Sequence, residues 1–238
     1  MAQNCRPISK LALMPVIAPS QLQIAGTASV PIVGSLLNGY YNASLYRLHP
    51  GLFWLADFIL FAALPMAIAY WLAKSANIRP RNYGLQFPPF GGIEPLASSL
   101  FLGTLLFATH FVAQYLGWVF TWQWYTEPDF SYGTALPKGP LRLPALLYMS
   151  LSAGLMESVF YLALPWYFWR NYLGLAHRRR TFVWLSSAVF ASVHWEQGPH
   201  NMVAVFAFGF VACLLYWKIN DLWPIVGAHT VVDIALLS

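Results

Sequence analysis

The chain has 238 residues, of which 58% are apolar, 17% aromatic and only 9% charged, against roughly 45–50% apolar and about 25% charged in a soluble domain. A water-soluble globule needs far more charge to cover its surface, so the composition excludes one and predicts an integral membrane protein. The net charge of +5 comes from bases too few and too dispersed for nucleic acid, and Cys5 and Cys213 make neither a disulfide framework nor a metal cluster.

In chain order, Arg6, Lys10 and the short apolar run after them bear a faint likeness to a signal peptide. The run is broken by Pro15, which argues against cleavage. Residues 11–46 carry no charge, yet Pro15, Pro31 and several Gly weaken a span there. Crossing about 30 Å of hydrocarbon takes about 20 largely apolar residues. Residues 51–73 supply them, interrupted by Asp57; residues 96–120 do so around His110; residues 143–169 do so around Glu157. Three closer-spaced runs follow, at 181–195, 201–217 and 222–237. The expected fold is therefore an all-α, polytopic transmembrane helix bundle of about six spans, or seven or eight if the N-terminal region contributes. No repeat of 20–50 residues is visible.

The bases set the orientation. Lys74, Arg79 and Arg81 follow the first span, Arg170 and Arg178 to Arg180 the third, and Lys218 the fifth. These loops are expected on one face, the cytoplasmic one. The loop at 121–142 is mixed in charge, with Glu127, Asp129, Lys138 and Arg142, and it is expected outside. Lys and Arg stay in loops and termini, whereas Asp57, Glu157 and Asp233 fall within spans. A carboxylate inside a bilayer costs several kcal/mol unless paired, hydrated or protonated, so each is a functional-site hypothesis. The competing reading is a polar clamp between helices.

The third, fourth and sixth spans carry Glu157, then His194, then His229 with Asp233. In Phe190-Ala-Ser-Val-His194 the spacing puts the aromatic ring and the imidazole on one helix face. In His229-Thr-Val-Val-Asp233 it puts the carboxylate within hydrogen-bond reach of the imidazole, where it fixes tautomer and orientation. Glu157 stands alone in an apolar helix, a setting suited to a general base. One carboxylate and two histidines in a dry bundle suffice to polarise a water and stabilise an oxyanion. His110 and Asp57 are expected to make hydrogen bonds between helices, and Glu196 and His200 to lie wetted at the interface.

On these motifs, residues 150–238 resemble the CPBP family of intramembrane proteases, which includes type II CAAX prenyl endopeptidases and bacteriocin-processing or self-immunity proteins. The second family motif, Phe-x-x-x-His, is matched by Phe190 and His194, and the third, His-x-x-x-Asn or Asp, by His229 and Asp233. The first, Glu-Glu-x-x-x-Arg, is matched only at Glu157, because Ser158 and Leu162 stand where the second Glu and the Arg belong. Losing both members of that ion pair is electrically neutral, whereas losing one leaves a buried charge unpaired. The resemblance implies that Glu157 and His194 activate water, that His229 donates to the oxyanion and that Asp233 orients His229. It divides the chain into an N-terminal segment at 1–50, accessory transmembrane helices at 51–142 and a catalytic core at 143–238.

Glu157, His194 and His229 also form a possible zinc set, with Asp233 open as a further ligand, but no His-Glu-x-x-His helix is present. The expected mechanism is glutamic, with no cofactor, and zinc is its alternative. The expected function is hydrolysis of a peptide bond in a membrane-embedded or lipid-attached protein or peptide, in a bacterial inner membrane. A catalytically inactive immunity or scaffold protein is the alternative reading, and a proton-relaying transporter the third.

Overall fold

The computed structural model describes residues 19–86, 93–124 and 131–238; residues 1–18 and the loop acids Glu127 and Asp129 lie outside them. The described chain is all-α. It folds as α1 (Gln21–Leu36), α2 (Asn38–Leu48), α3 (Pro50–Ser75), α4 (Ile93–Thr121), α5 (Gly139–Asn171), α6 (Arg179–Ser192), α7 (Pro199–Ile219) and α8 (Trp223–Leu237). The uncharged N-terminal stretch thus contains a helix. It starts on a capping box in which Ser20 and Gln23 satisfy each other's backbone, and it carries Pro31 inside.

All six expected apolar runs are helical, but among the described residues four helices are long and apolar enough to cross a membrane: α3, the Leu100–Trp124 stretch, α5 and α7. Helix α8 is apolar but has 15 residues, and α6 has 14, a rise of about 21 Å. The expected span at 181–195 overran, because the chain leaves helical geometry after Ser192 and turns at Val193 and His194. Large apolar side chains such as Phe58, Tyr70, Phe101, Tyr115 and Leu151 are exposed on the longer helices. Such surface is a liability in water and ordinary against lipid. The chain is an integral membrane protein.

Helix α8 packs between α4 and α5, and α7 between α4 and α6. Close approach at these contacts depends on small residues, as membrane packing requires. A β-carbon at Gly154 would stand 2.7 Å from Thr230 Oγ1 and 3.2 Å from the Val226 carbonyl, so α5 and α8 touch backbone to backbone there. One at Gly209 would meet the Phe190 ring at 3.0 Å.

Two helices carry the same interruption. Asp57 and Glu157 each stand eight residues before a proline, in Ala63-Leu64-Pro65 and Ala163-Leu164-Pro165. A π-turn follows each acid, Ser158–Ala163 directly after Glu157 in α5 and Ile59–Ala63 one residue beyond Asp57 in α3. The Leu64 amide bonds back to Ile59 and the Leu164 amide to Val159, five residues rather than four. Proline lacks an N–H and its ring collides with the carbonyl four residues back, and a widened turn relieves that collision. In α5 the carbonyl so released is that of Tyr161, and it accepts from the Ser186 hydroxyl on α6. The turn is also where the core sits: every residue from Ser158 to Leu164 is buried.

The basic loops gather at one end. Leu222 donates to the Gly84 carbonyl at 3.1 Å, the Trp223 indole donates to the Gln86 carbonyl at 2.7 Å, and the Arg179 guanidinium lies 4.3 Å over Trp217. At the other end the Trp195 indole donates to the Leu36 carbonyl at 3.1 Å, and Arg142 to the Ser238 carbonyl at 2.9 Å.

Candidate active site

Glu157 ends the regular part of α5, and the widened turn behind it sets the direction of its side chain. The glycine contact at Gly154, one turn earlier, brings α8 against the same face. Glu157 Oε2 consequently lies 3.3 Å from His229 Nε2 and 3.8 Å from His194 Nε2. The four residues expected to act together do converge, from α5, the turn after α6, and α8.

Two details differ from expectation. His194 is not on the helix with Phe190; it occupies the turn beyond Ser192. Its Nδ1 lies 2.8 Å from the Phe190 carbonyl, and a carbonyl only accepts, so Nδ1 carries the proton and Nε2 is left with a lone pair toward Glu157. Phe190 and His194 still meet, through an edge-on ring contact at 5.0 Å. The second difference concerns Asp233, whose Oδ1 is 3.9 Å from His229 Nε2. That is outside hydrogen-bond distance. Glu157 rather than Asp233 is the nearer carboxyl, because the close approach at Gly154 pushes α5 against the His229 face.

The two imidazoles are held by aromatic edges. Phe190 meets the His229 ring at 5.7 Å, and Phe208 meets it at 5.1 Å. Phe190 therefore touches both rings, a physical reason for an aromatic four residues before His194. Where the family's second Glu and Arg belong, Ser158 and Leu162 are buried. They line a small void of about 20 Å³ with Cys213, Ile225 and His229, and no Lys or Arg among the described residues lines it.

Beyond Glu157 a cavity of about 280 Å³ runs to the end of the bundle opposite the basic loops, past Glu196 and His200 to Tyr132 and Leu237. Several residues to which the sequence assigned other roles also line it. His110 was expected to bridge helices; its Nε2 has no hydrogen-bond partner, and the ring lies edge-on to Phe208 at 6.2 Å. Asp57 was expected to do the same and does, through a side-chain hydrogen bond with Tyr148 on α5; it also lines the cavity, with its Oδ2 buried and unpaired. Glu196 and His200 are half-buried in the wall of the cavity, toward its mouth. The Tyr132 hydroxyl donates to Glu196 Oε1 at 3.5 Å and accepts from Asn42 at 2.7 Å. Burial pushes the Glu196 carboxyl up to about 7, against smaller opposing effects of hydrogen bonds from its own backbone and Tyr132. The only advance signal was charge: these are polar residues in runs otherwise apolar.

Among the described residues, no group of three His, Cys, Asp or Glu side chains is disposed to hold a metal ion. The alternative set of Glu157, His194 and His229 is not among such groups.

Residues 139–235 match the protein family described as type II CAAX prenyl endopeptidase, Rce1-like. No curated protein and no solved structure matches the chain.

Proposed function

We propose, from the premise that residues 139–235 of this chain form a domain of the Rce1-like type II CAAX prenyl endopeptidase family, that the protein is an active intramembrane endopeptidase. The observation that carries the reading is the position of Glu157 Oε2, within 4 Å of both His194 Nε2 and His229 Nε2 at the floor of a cavity. The Glu157–His194 separation of 3.8 Å is too long for a direct hydrogen bond and suits two groups that hold one water between them.

In this reading Glu157 takes the proton of that water while the His194 lone pair fixes its orientation. The oxygen then attacks a peptide carbonyl presented from the cavity. The His229 ring, held on edge by Phe190 and Phe208, turns its Nε2–H from Glu157 to the developing oxyanion. Glu157 delivers its proton to the leaving nitrogen. Asp233 adds a carboxyl behind His229, at the distance of an electrostatic partner rather than of a hydrogen bond. The substrate is a membrane-embedded or lipid-attached protein or peptide, and the setting a bacterial inner membrane. Loss of the second Glu and the Arg leaves the water-activating pair intact, and the void beside Ser158 and Leu162 is closed by apolar packing.

The inactive scaffold reading rests on those same two replacements. Complementing a deletion strain with the Glu157→Gln variant separates the two: lost biological function at unchanged protein level supports the enzyme, and retained function supports the scaffold. Metal content of the purified protein, with activity before and after chelation, tests the glutamic mechanism. Stoichiometric zinc needed for activity overturns it.

A further inference from the structure

Asp57 is presented to the cavity by the device that presents Glu157. Both acids precede a π-turn closed by a five-residue backbone hydrogen bond and a Leu-Pro pair. The two turns belong to different parts of the chain, yet α5 packs against the turn in α3. Asp57 is 7% exposed; its carboxyl shares one hydrogen bond with Tyr148, and its Oδ2 is buried with no hydrogen-bond partner. A buried, unpaired carboxyl oxygen facing a cavity is costly, and a structure keeps one where something complementary arrives.

What arrives is indicated by the rest of the wall. Asp57, Glu157, Glu196 and Asp233 all line this cavity, and no Lys or Arg among the described residues does. The described loops that carry Lys74, Arg79, Arg81, Arg178 and Lys218 lie at the far end of the bundle. A cavity with acids on its walls and no base attracts positive charge and repels negative charge. Glu157 and Asp233 face the histidines, which leaves Asp57, with Glu196 at the mouth, as the cavity acids that take no part in the proposed reaction.

We infer that Asp57 forms a cation-accepting subsite, which binds a lysine or arginine side chain of the substrate peptide and so sets its register over Glu157. The inference rests on the peptidase reading. Asp57 lies level with Tyr148 on α5, nine residues before Glu157, an axial separation of about 13 Å. An extended peptide covers that in about four residues. The basic residue therefore lies about four positions from the scissile bond, on the side of the cavity mouth. Asp57 is a positioning residue: it holds the substrate and does not touch the reacting atoms.

The test is binding to the purified full-length protein in detergent. The probes are two capped, dye-labelled apolar heptapeptides that differ only in one central residue, lysine or its uncharged isostere norleucine. The lysine peptide binds about tenfold more tightly to wild type, the size of a charge-assisted contact. Asp57→Asn removes that preference, Asp57→Glu keeps it, and Glu196→Gln reduces it. Melting temperatures of the variants identify any that fail to fold, and the conservative pair Asn and Glu then decides the matter. Equal binding of the two peptides to wild type overturns the subsite, as does a preference that survives Asp57→Asn. Lysine preference without cleavage of any reporter supports the subsite and contradicts the peptidase reading. Cleavage with no preference for a basic residue does the reverse.

Discussion

Gly154 and Thr230 stand so close that a single β-carbon on the glycine would lie 2.7 Å from the threonine hydroxyl oxygen. The contact sets the spacing of the two helices that carry Glu157 and His229. The Thr230 hydroxyl already donates to the Val226 carbonyl at 2.8 Å, so it has little freedom to retreat. Gly154→Ala is expected to insert and fold, yet to lose about a hundredfold in activity, because a misplacement of 1 Å is worth that much. Thr230→Ala in the same chain restores part of the loss. A double-mutant cycle on cleavage rate checks the coupling.

Ser186 and the Tyr161 carbonyl make a stability prediction. Pro165 deprives that carbonyl of its ordinary helical donor, and the serine hydroxyl replaces it. Ser186→Ala leaves a buried acceptor unsatisfied, at a cost of about 1–3 kcal/mol. Thermal unfolding in detergent should show a lower melting temperature. Ser192→Ala, whose hydroxyl bonds only its own helix and is exposed, should show almost none of that change.

Phe190 holds two imidazoles at once, His194 at 5.0 Å and His229 at 5.7 Å. Phe190→Leu keeps the volume roughly and removes the flat edge contacts. The expected result is a fall of about tenfold in kcat with KM little changed, as for an interaction that matters only in the transition state. A rise in KM alone would place Phe190 in substrate binding instead.

Glu196 gives a pH dependence whose sign is fixed. Its carboxyl is held at about 7, above the value of about 4.3 in an unfolded chain. The folded state therefore keeps this proton while the unfolded state loses it. Below about pH 4 the group is neutral in both states and contributes nothing. As pH rises towards 7 the unfolded state gains the relative advantage, and stability falls. Glu157, His200 and Tyr132 face the same part of the cavity. Melting temperature followed from pH 5 to pH 8 should decline, and Glu196→Gln should flatten that decline. An unchanged slope in the variant contradicts the assignment.

How much of this was legible in the sequence varies by element. Glu157, His194, His229 and Asp233 stood out because each interrupts an apolar run and two of the motifs repeat a helical spacing; the structure brings all four together. The detail of the pairing was not legible. Spacing placed Asp233 beside His229, but the glycine contact between α5 and α8 gives the shorter distance to Glu157, and that contact belongs to packing rather than to one helix. His194 fell off its helix because the chain turns at Val193, a boundary with no proline or glycine to mark it. The convergence of His110 and Asp57 on the cavity was not legible, because it depends on helices far away in sequence. The two Leu-Pro pairs were visible, but a proline in an apolar run announces only that a helix is disturbed. That the disturbance is a π-turn aiming an acid inward is a three-dimensional fact.

The central claim is that Glu157 activates water for peptide hydrolysis inside the membrane. Its most direct test is a profile of new peptide termini in membranes from cells that carry wild-type protein or Glu157→Gln at equal abundance. The account predicts at least one membrane-associated protein whose cleaved terminus is present with wild type and lost with Glu157→Gln. Identical profiles from the two strains, with the biological function preserved in both, would contradict it.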